Sequence, residues 1–262
     1  MIRSLHTSAS GMEAQQFRID VISNNLANVN TTGFKKSRAE FQDLFYQEVR
    51  AARAGSAGED RGQAAPLEVG LGVRPTSTQK MFTAGDFIQT NNPLDMAIEG
   101  NGFFKVRMQD GSNAYTRSGA FVTDKDGVVV TQSGNALDPP IILPPETQSI
   151  VIDRDGTLKA LQPGDTEAVE IGRVELAQFT NPAGLRSVGY GLYQQTETSG
   201  DEILGVPGEG GLGTVSQGML ETSNVKVVEE MIDLIAAQRA YEINSRVVRA
   251  ADEMLRESSN IR

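Results

Sequence analysis

Ser23-Asn24-Asn25-Leu26-Ala27-Asn28-Val29-Asn30-Thr31-Thr32-Gly33-Phe34-Lys35-Lys36 is the stretch on which the reading of this chain turns. It closes a long N-terminal segment in which Leu5, Met12, Ile19 and Leu26 recur every seven residues, with Ile2, Ala9, Ile22 and Val29 filling out the same side. That period lays an apolar row along one face of a helix, the pattern of a coiled coil. From Ile2 to Asn30 the helix would be roughly 43 Å long at about 1.5 Å per residue. The row is thin, because Ser8, Gln15 and Gln16 sit beside it, and such a helix needs a partner to hold its shape. Thr31-Thr32-Gly33 then supplies turn residues and ends the pattern.

A second row of the same period stands at the other end. Val227, Leu234, Tyr241, Val248 and Leu255 recur every seven residues, flanked by Ala237 and Ala251 with Asn244 between them. Either row alone is an ordinary amphipathic helix; two at opposite termini predict helices paired as a coiled coil. Ser223 or Asn224 is the expected N-cap of the second, with Glu229 and Glu230 near the positive end of its dipole.

Between the helices the period changes to two. Short β-rich runs are expected at Phe103–Met108, Ala114–Thr116, Phe121–Thr123, Val128–Thr131, Ile150–Ile152 and Val169–Phe179, and another at Thr214–Glu221. The pairs Asp110-Gly111, Asp126-Gly127 and Asp155-Gly156 suit the left-handed conformations of tight hairpins. Pro139-Pro140 and Pro144-Pro145 bracket Ile141-Ile142-Leu143, marking an edge strand or a strapped loop. Phe41, Leu44, Phe45 and Val49 have a short helical spacing, with a strand left open by the aromatic content. Ala51 to Gly72 is rich in Ala, Gly and charge and is expected to be an extended or mobile connector. The expected fold class is therefore α+β: long N- and C-terminal helices paired as a coiled coil, a central all-β domain and an extended connector. Its parts are a discontinuous helical domain (1–33 with 224–262), a connector region (34–81 with 194–223) and a β-rich domain (82–193).

Composition narrows the chemistry. The 262 residues include no Cys and a single His, His6, which removes thiolate nucleophiles, Cys-based metal sites and most triad and metal arrangements. Net charge is −10; residues 1–38 carry +3 and residues 224–262 carry −1, so the middle holds −12. An acidic centre is the wrong sign for tracking phosphates, so no nucleic-acid partner is expected. No run approaches the roughly 20 apolar residues of a membrane span, so no membrane insertion is expected, and the N-terminus lacks the continuous apolar core of a secretory signal.

The motifs that look chemical have plainer explanations. Gly208-Glu209-Gly210-Gly211-Leu212-Gly213 satisfies the dinucleotide-binding spacing literally. Pro207 precedes it and the β-like Thr214-Val215-Ser216 follows, so it is expected to be a loop. Asp124-Lys125-Asp126-Gly127 and Asp153-Arg154-Asp155-Gly156 have their glycine at the fourth position where a calcium loop has it at the sixth, and are expected to be hairpin turns. No cofactor, metal or catalytic residue is expected. Asn24, Asn25, Asn28 and Asn30 suit a helix end rich in turn formers, or buried amides that fix helix register.

Three groups of residues carry a family resemblance. The first is Ser10-Gly11-Met12-Glu13-Ala14-Gln15-Gln16 with Ile22 through Lys35, including Asn24, Asn25, Asn28, Asn30, Thr32, Gly33 and Phe34. The second is Gly218-Met219-Leu220-Glu221-Thr222-Ser223-Asn224-Val225 with Glu229-Glu230-Met231 and Ala237 through Ser245. The third is Gly100-Asn101-Gly102-Phe103-Phe104 with Tyr115-Thr116-Arg117-Ser118-Gly119. Together they resemble the bacterial flagellar rod and hook proteins over essentially the whole chain. The resemblance implies a non-enzymatic subunit that self-assembles into a helical tube, the distal rod of the flagellum, exported without a cleaved signal and spanning the periplasm. Its terminal helices would form an inner layer, and an insertion near the connector would stiffen contacts between stacked subunits. The implied partners are further copies of itself, the proximal rod and hook proteins, the rod cap, and the surrounding peptidoglycan and outer-membrane ring proteins. The alternatives are another axial subunit, proximal rod or short hook-like, and a periplasmic glycan-acting enzyme built on paired carboxylates, for which no pair stands out.

Overall fold

A computed structural model describes residues 2–50, 67–145, 147–162 and 168–260. The chain divides into two compact units, one made of Met1–Leu26, Ser37–Gln79 and Val227–Arg262, the other of Ala27–Lys36 and Lys80–Lys226. The class is α+β, with a helix at each end and a mostly β middle.

The first unit contains helix α1, Ile2–Ala27, and helix α2, Val227–Asn260. The α1 helix stops three residues short of the expected Asn30, where Asn28 accepts the Thr31 amide at 3.2 Å and opens the turn to Gly33. Neither expected N-cap residue abuts α2. The Ser223 hydroxyl accepts the Val225 amide at 3.3 Å, while the Asn224 amide reaches the Met81 carbonyl at 2.7 Å.

The helical spacing at Phe41–Val49 does not produce a helix. Ser37–Asp43 and Tyr46–Arg50 are strands, paired with Val73–Lys80 and Leu67–Gly70 respectively. A partner strand for each half supplies ladder hydrogen bonds, and that outweighs a local period carried by only four side chains. The connector expected at 51–72 thus has strand at its C-terminal end; its residues 51–66 lie outside the described residues.

The second unit is built on a nine-stranded antiparallel sheet with Phe103–Arg107 at its centre. One edge of that strand pairs with Asn113–Thr116, and the other is shared by Ala136–Leu137 and Leu176–Gln178. The period of two puts Phe104 and Val106 into the main core with Met96, Ile98, Phe121, Leu137, Leu158 and Leu176. Phe103 faces the opposite way, into an aromatic cluster with Tyr115, Phe179 and Tyr193. Its rings meet edge to face, Tyr115 and Phe179 at 4.7 Å between centroids and Phe82 and Phe103 at 5.2 Å. Such pairs add about 0.5–1.5 kcal/mol each beyond the area they bury.

All three Asp-Gly pairs turn hairpins. Gly111, Gly127 and Gly156 have φ of +82°, +76° and +77°, and their amides donate to Met108, Asp124 and Asp153 at 2.9–3.0 Å. The calcium-like sequences are therefore turns. The proline-bracketed segment is strapped onto a hairpin through Val129–Ile141 and Leu143–Gly127 backbone bonds, burying Ile141 and Leu143 while Ile142 faces out. Gly208–Gly213 is a loop closed by the Gly208 amide on the Gly213 carbonyl at 2.9 Å.

Candidate functional site

The apolar rows are half-satisfied. Leu5, Met12, Ile19 and Leu26 are all half-buried, as are Leu234, Val248 and Leu255, whereas Val227 and Tyr241 are exposed. What α1 offers α2 directly is the neighbouring row, about 100° round the helix. Gly11 stands so close to Asn244 that a Cβ there would come within 2.9 Å of its Nδ2. Arg18 pairs with Asp233 at 2.8 Å, and the Asn25 amide donates to Glu230 at 3.1 Å. These contacts step by seven residues along α1 while the α2 numbers rise as the α1 numbers fall, so the two helices run antiparallel. On α2, Glu230, Ala237 and Ala251 are buried, and Val228, Ile232, Ile235, Ile243 and Met254 are half or more exposed.

Asn25 is the one deeply buried member of the asparagine cluster. Its Nδ2 also donates to the Ser37 carbonyl, and its Oδ1 accepts the Ser37 amide, both at 2.9 Å. One planar side chain thereby satisfies both backbone groups of a strand residue and touches α2 as well. Asn24 and Asn30 are exposed, and Asn28 shapes the turn by accepting the Thr31 hydroxyl at 3.2 Å.

Beyond that turn the N-terminal motif enters the second unit. Thr32 meets the Ser118 hydroxyl at 3.3 Å, and the Phe34 ring lies 4.7 Å below the Lys80 ammonium. Gly33 has φ +68°, and a Cβ there would stand 2.5 Å from the Ser118 amide nitrogen, so no side chain fits. Its own amide donates to the Glu221 carbonyl at 2.8 Å.

The side chains around Glu221 form the unit's most concentrated polar feature. Lys35 meets one carboxylate oxygen at 2.6 Å and Arg117 meets the other at 3.0 Å, with all three side chains at most 4% exposed. Every buried nitrogen and oxygen of the three side chains has a hydrogen-bond partner. Lys35 donates to the Thr83 carbonyl at 2.7 Å, and Arg117 to the Gly100 and Gly102 carbonyls at 2.9 and 2.7 Å. The Gly85 amide donates to Glu221 at 3.0 Å. Burial works against the Glu221 carboxylate, but Arg117, Lys35 and the Gly85 amide together hold its pKa below the usual glutamate range. Burial pushes the Lys35 ammonium down, against the pull of Glu221. Burial also raises Tyr193, in the aromatic cluster, to about 12.

This knot joins one charge from each of the three sequence motifs, and sequence reading did not single out any of the three. The only local signal is that Arg117 and Glu221 each stand alone in an otherwise neutral turn or strand; Lys35 lacks even that, with Lys36 beside it. Among the described residues no group of His, Asp or Glu could hold a metal ion, and no helix is long and apolar enough to cross a membrane.

Comparison with known proteins matches these regions to three family models. Residues 5–35 match the flagella basal body rod protein family, 97–160 the flagellar hook protein FlgE/F/G D1 domain, and 216–261 the flagellar basal body rod FlgEFG protein C-terminal family. The matches define an axial protein of the flagellar rod and hook. The flagellar basal-body rod protein FlgG of Buchnera aphidicola subsp. Schizaphis graminum is 46% identical over 261 residues, covering all of both chains. That of Borreliella burgdorferi is 46% identical over 265 residues, covering this chain and 99% of the relative, and that of Bacillus subtilis 36% over all of both. The chain belongs to the family of flagellar basal-body rod proteins. It is a structural component of the flagellum and not an enzyme.

Proposed function

We propose that this chain is the repeating subunit of the distal rod, packing head to tail with copies of itself into an open helical tube that carries torque from motor to hook. The observation that carries the reading is the surface left on α2: Val228, Ile232 and Ile243 are 70%, 62% and 59% exposed on a helix whose other side is buried. An apolar stripe of that length on a soluble subunit is a contact surface awaiting a partner. The half-buried rows at Leu5, Met12, Ile19, Leu26, Leu234, Val248 and Leu255 lie beside it and would close into coiled-coil pairing as copies assemble. The proximal rod and hook proteins would continue the same packing at either end, with the cap and ring proteins bordering the tube.

The test is Leu234→Asp, which sets a charge into that closing interface at an expected loss of several kcal/mol. Purified variant protein should stay monomeric in sedimentation while the β unit keeps its near-ultraviolet circular dichroism. Rods of normal length would sink the reading. The stretch from Gly55 to Ala65, outside the described residues, is proposed to set rod stiffness by blocking sliding between stacked copies. Its deletion should give tubes that still assemble but curve on micrographs, and deletion rods as straight as the parent would remove it from the explanation.

A further inference from the structure

The strands Arg186–Gly189 and Leu192–Gln194 form a hairpin at the edge of the large sheet. Gly189 pairs with Leu192, so the turn is made by Tyr190 and Gly191 alone, with φ of +54° and +71°. A two-residue turn with both central residues left-handed favours Asn-Gly, and a bulky aromatic at its first position is strained. The Tyr190 side chain does not repay this by packing, because the residue is 89% exposed. An exposed aromatic held in an unfavourable backbone conformation points to a role outside the turn itself.

Tyr190 stands at the rim of a groove of about 410 Å³. Thr32, Thr116, Ser118, Thr131, Gln132 and Ser133 supply most of its polar lining, and no charged side chain contributes, in a chain where 22% of residues are charged. The lining is held from behind. Thr116 donates to the Gly191 carbonyl at 3.0 Å, and the Thr131 and Ser133 hydroxyls meet at 3.1 Å. Gln132 is exposed and presents an amide with two donors and an acceptor.

An anion would find no cation here, and an apolar ligand would cover the exposed Gln132 amide without offering it a partner. A neutral polyol satisfies both constraints: its C–H face stacks on the tyrosine ring while its hydroxyls exchange hydrogen bonds with the amide and the threonine and serine side chains. We propose that this groove binds a neutral saccharide, with Tyr190 as the stacking platform and Gln132 as the principal hydrogen-bonding group. The site lies wholly within the β unit and does not depend on the assembly reading.

The test is titration of the isotopically labelled full chain with chitotetraose and, in parallel, cellotetraose, followed by amide chemical shifts. Shifts confined to the surroundings of Thr32, Ser118, Gln132 and Tyr190 are expected. Response to both sugars would define a pyranose site, and response to chitotetraose alone one that also takes the acetamido group. Tyr190→Asn suits the turn and keeps the fold, and should weaken binding by about tenfold, while Tyr190→Phe should stay within about twofold. No shifts at the groove with either sugar, or shifts that Tyr190→Asn leaves unchanged, would overturn the proposal. Tyr190→Asn blocking association between copies while neither sugar binds would overturn it too, assigning the groove to a protein contact.

Discussion

Two ion pairs separate the two units. Arg18–Asp233 in the helical unit and Lys35–Glu221 in the β unit have nearly equal lengths, 2.8 and 2.6 Å, yet their side chains are 40% and 51% exposed in the first and 0% and 1% in the second. The exposed pair steers two helices that still show apolar surface to solvent. The buried one is hydrogen-bonded on both sides, Lys35 to the Thr83 carbonyl and Glu221 to the Gly85 amide, and fixes where three distant chain segments meet. The difference teaches which unit closes its charges within its own fold and which still holds apolar surface open to solvent.

The comparison breaks most sharply at Glu221. Glu221→Gln leaves Lys35 and Arg117 as buried cations without a countercharge, and should destabilise the β unit by about 3–5 kcal/mol in chemical denaturation. A loss under about 1 kcal/mol would mean water reaches the knot. The pH dependence sharpens the point. Because the folded-state pKa of Glu221 is depressed, its stabilisation is complete above the unfolded value of about 4.3 and fades as pH falls through the folded value. Wild-type stability should therefore drop on acidification below about pH 4 by more than that of Glu221→Gln; parallel curves would rule this group out.

Asn25→Ala is the intermediate case. It strips the Ser37 amide and carbonyl of their partner and removes a contact to Glu230, an expected loss of about 1–3 kcal/mol, with faster amide exchange along Ser37–Asp43 as the readout. Exchange unchanged there would mean that the strand is held by its β partner alone. The smallest effect belongs to Arg18→Ala, expected at no more than about 1 kcal/mol in the monomer because both partners are solvated. A larger loss would place that pair in a drier setting than its exposure indicates.

Much of the architecture was legible because it is encoded locally. The three Asp-Gly turns, the strand at Phe103–Arg107 and the terminal helices each follow from residues within a few positions of one another. Phe41–Val49 misled for the same reason: four side chains suit two periods, and only the strands at Leu67–Gly70 and Val73–Lys80 decide between them. The asparagine cluster shows the limit in one motif. Its four amides look alike in sequence, yet the fold buries only Asn25 deeply.

What the sequence determined by itself was the class, the periodic rows, the turns and, through its three motifs, the family. Tertiary structure alone decided which row of α1 faces α2, since positions 11, 18 and 25 are no more apolar than their neighbours. It also decided that Lys35, Arg117 and Glu221 meet, although Glu221 lies 186 residues from Lys35 and 104 from Arg117. Periodicity and turn chemistry act between near neighbours and leave a mark in the sequence. Charge pairing acts through space, and in a chain of 24 basic and 34 acidic side chains nothing local says which of them will be buried together.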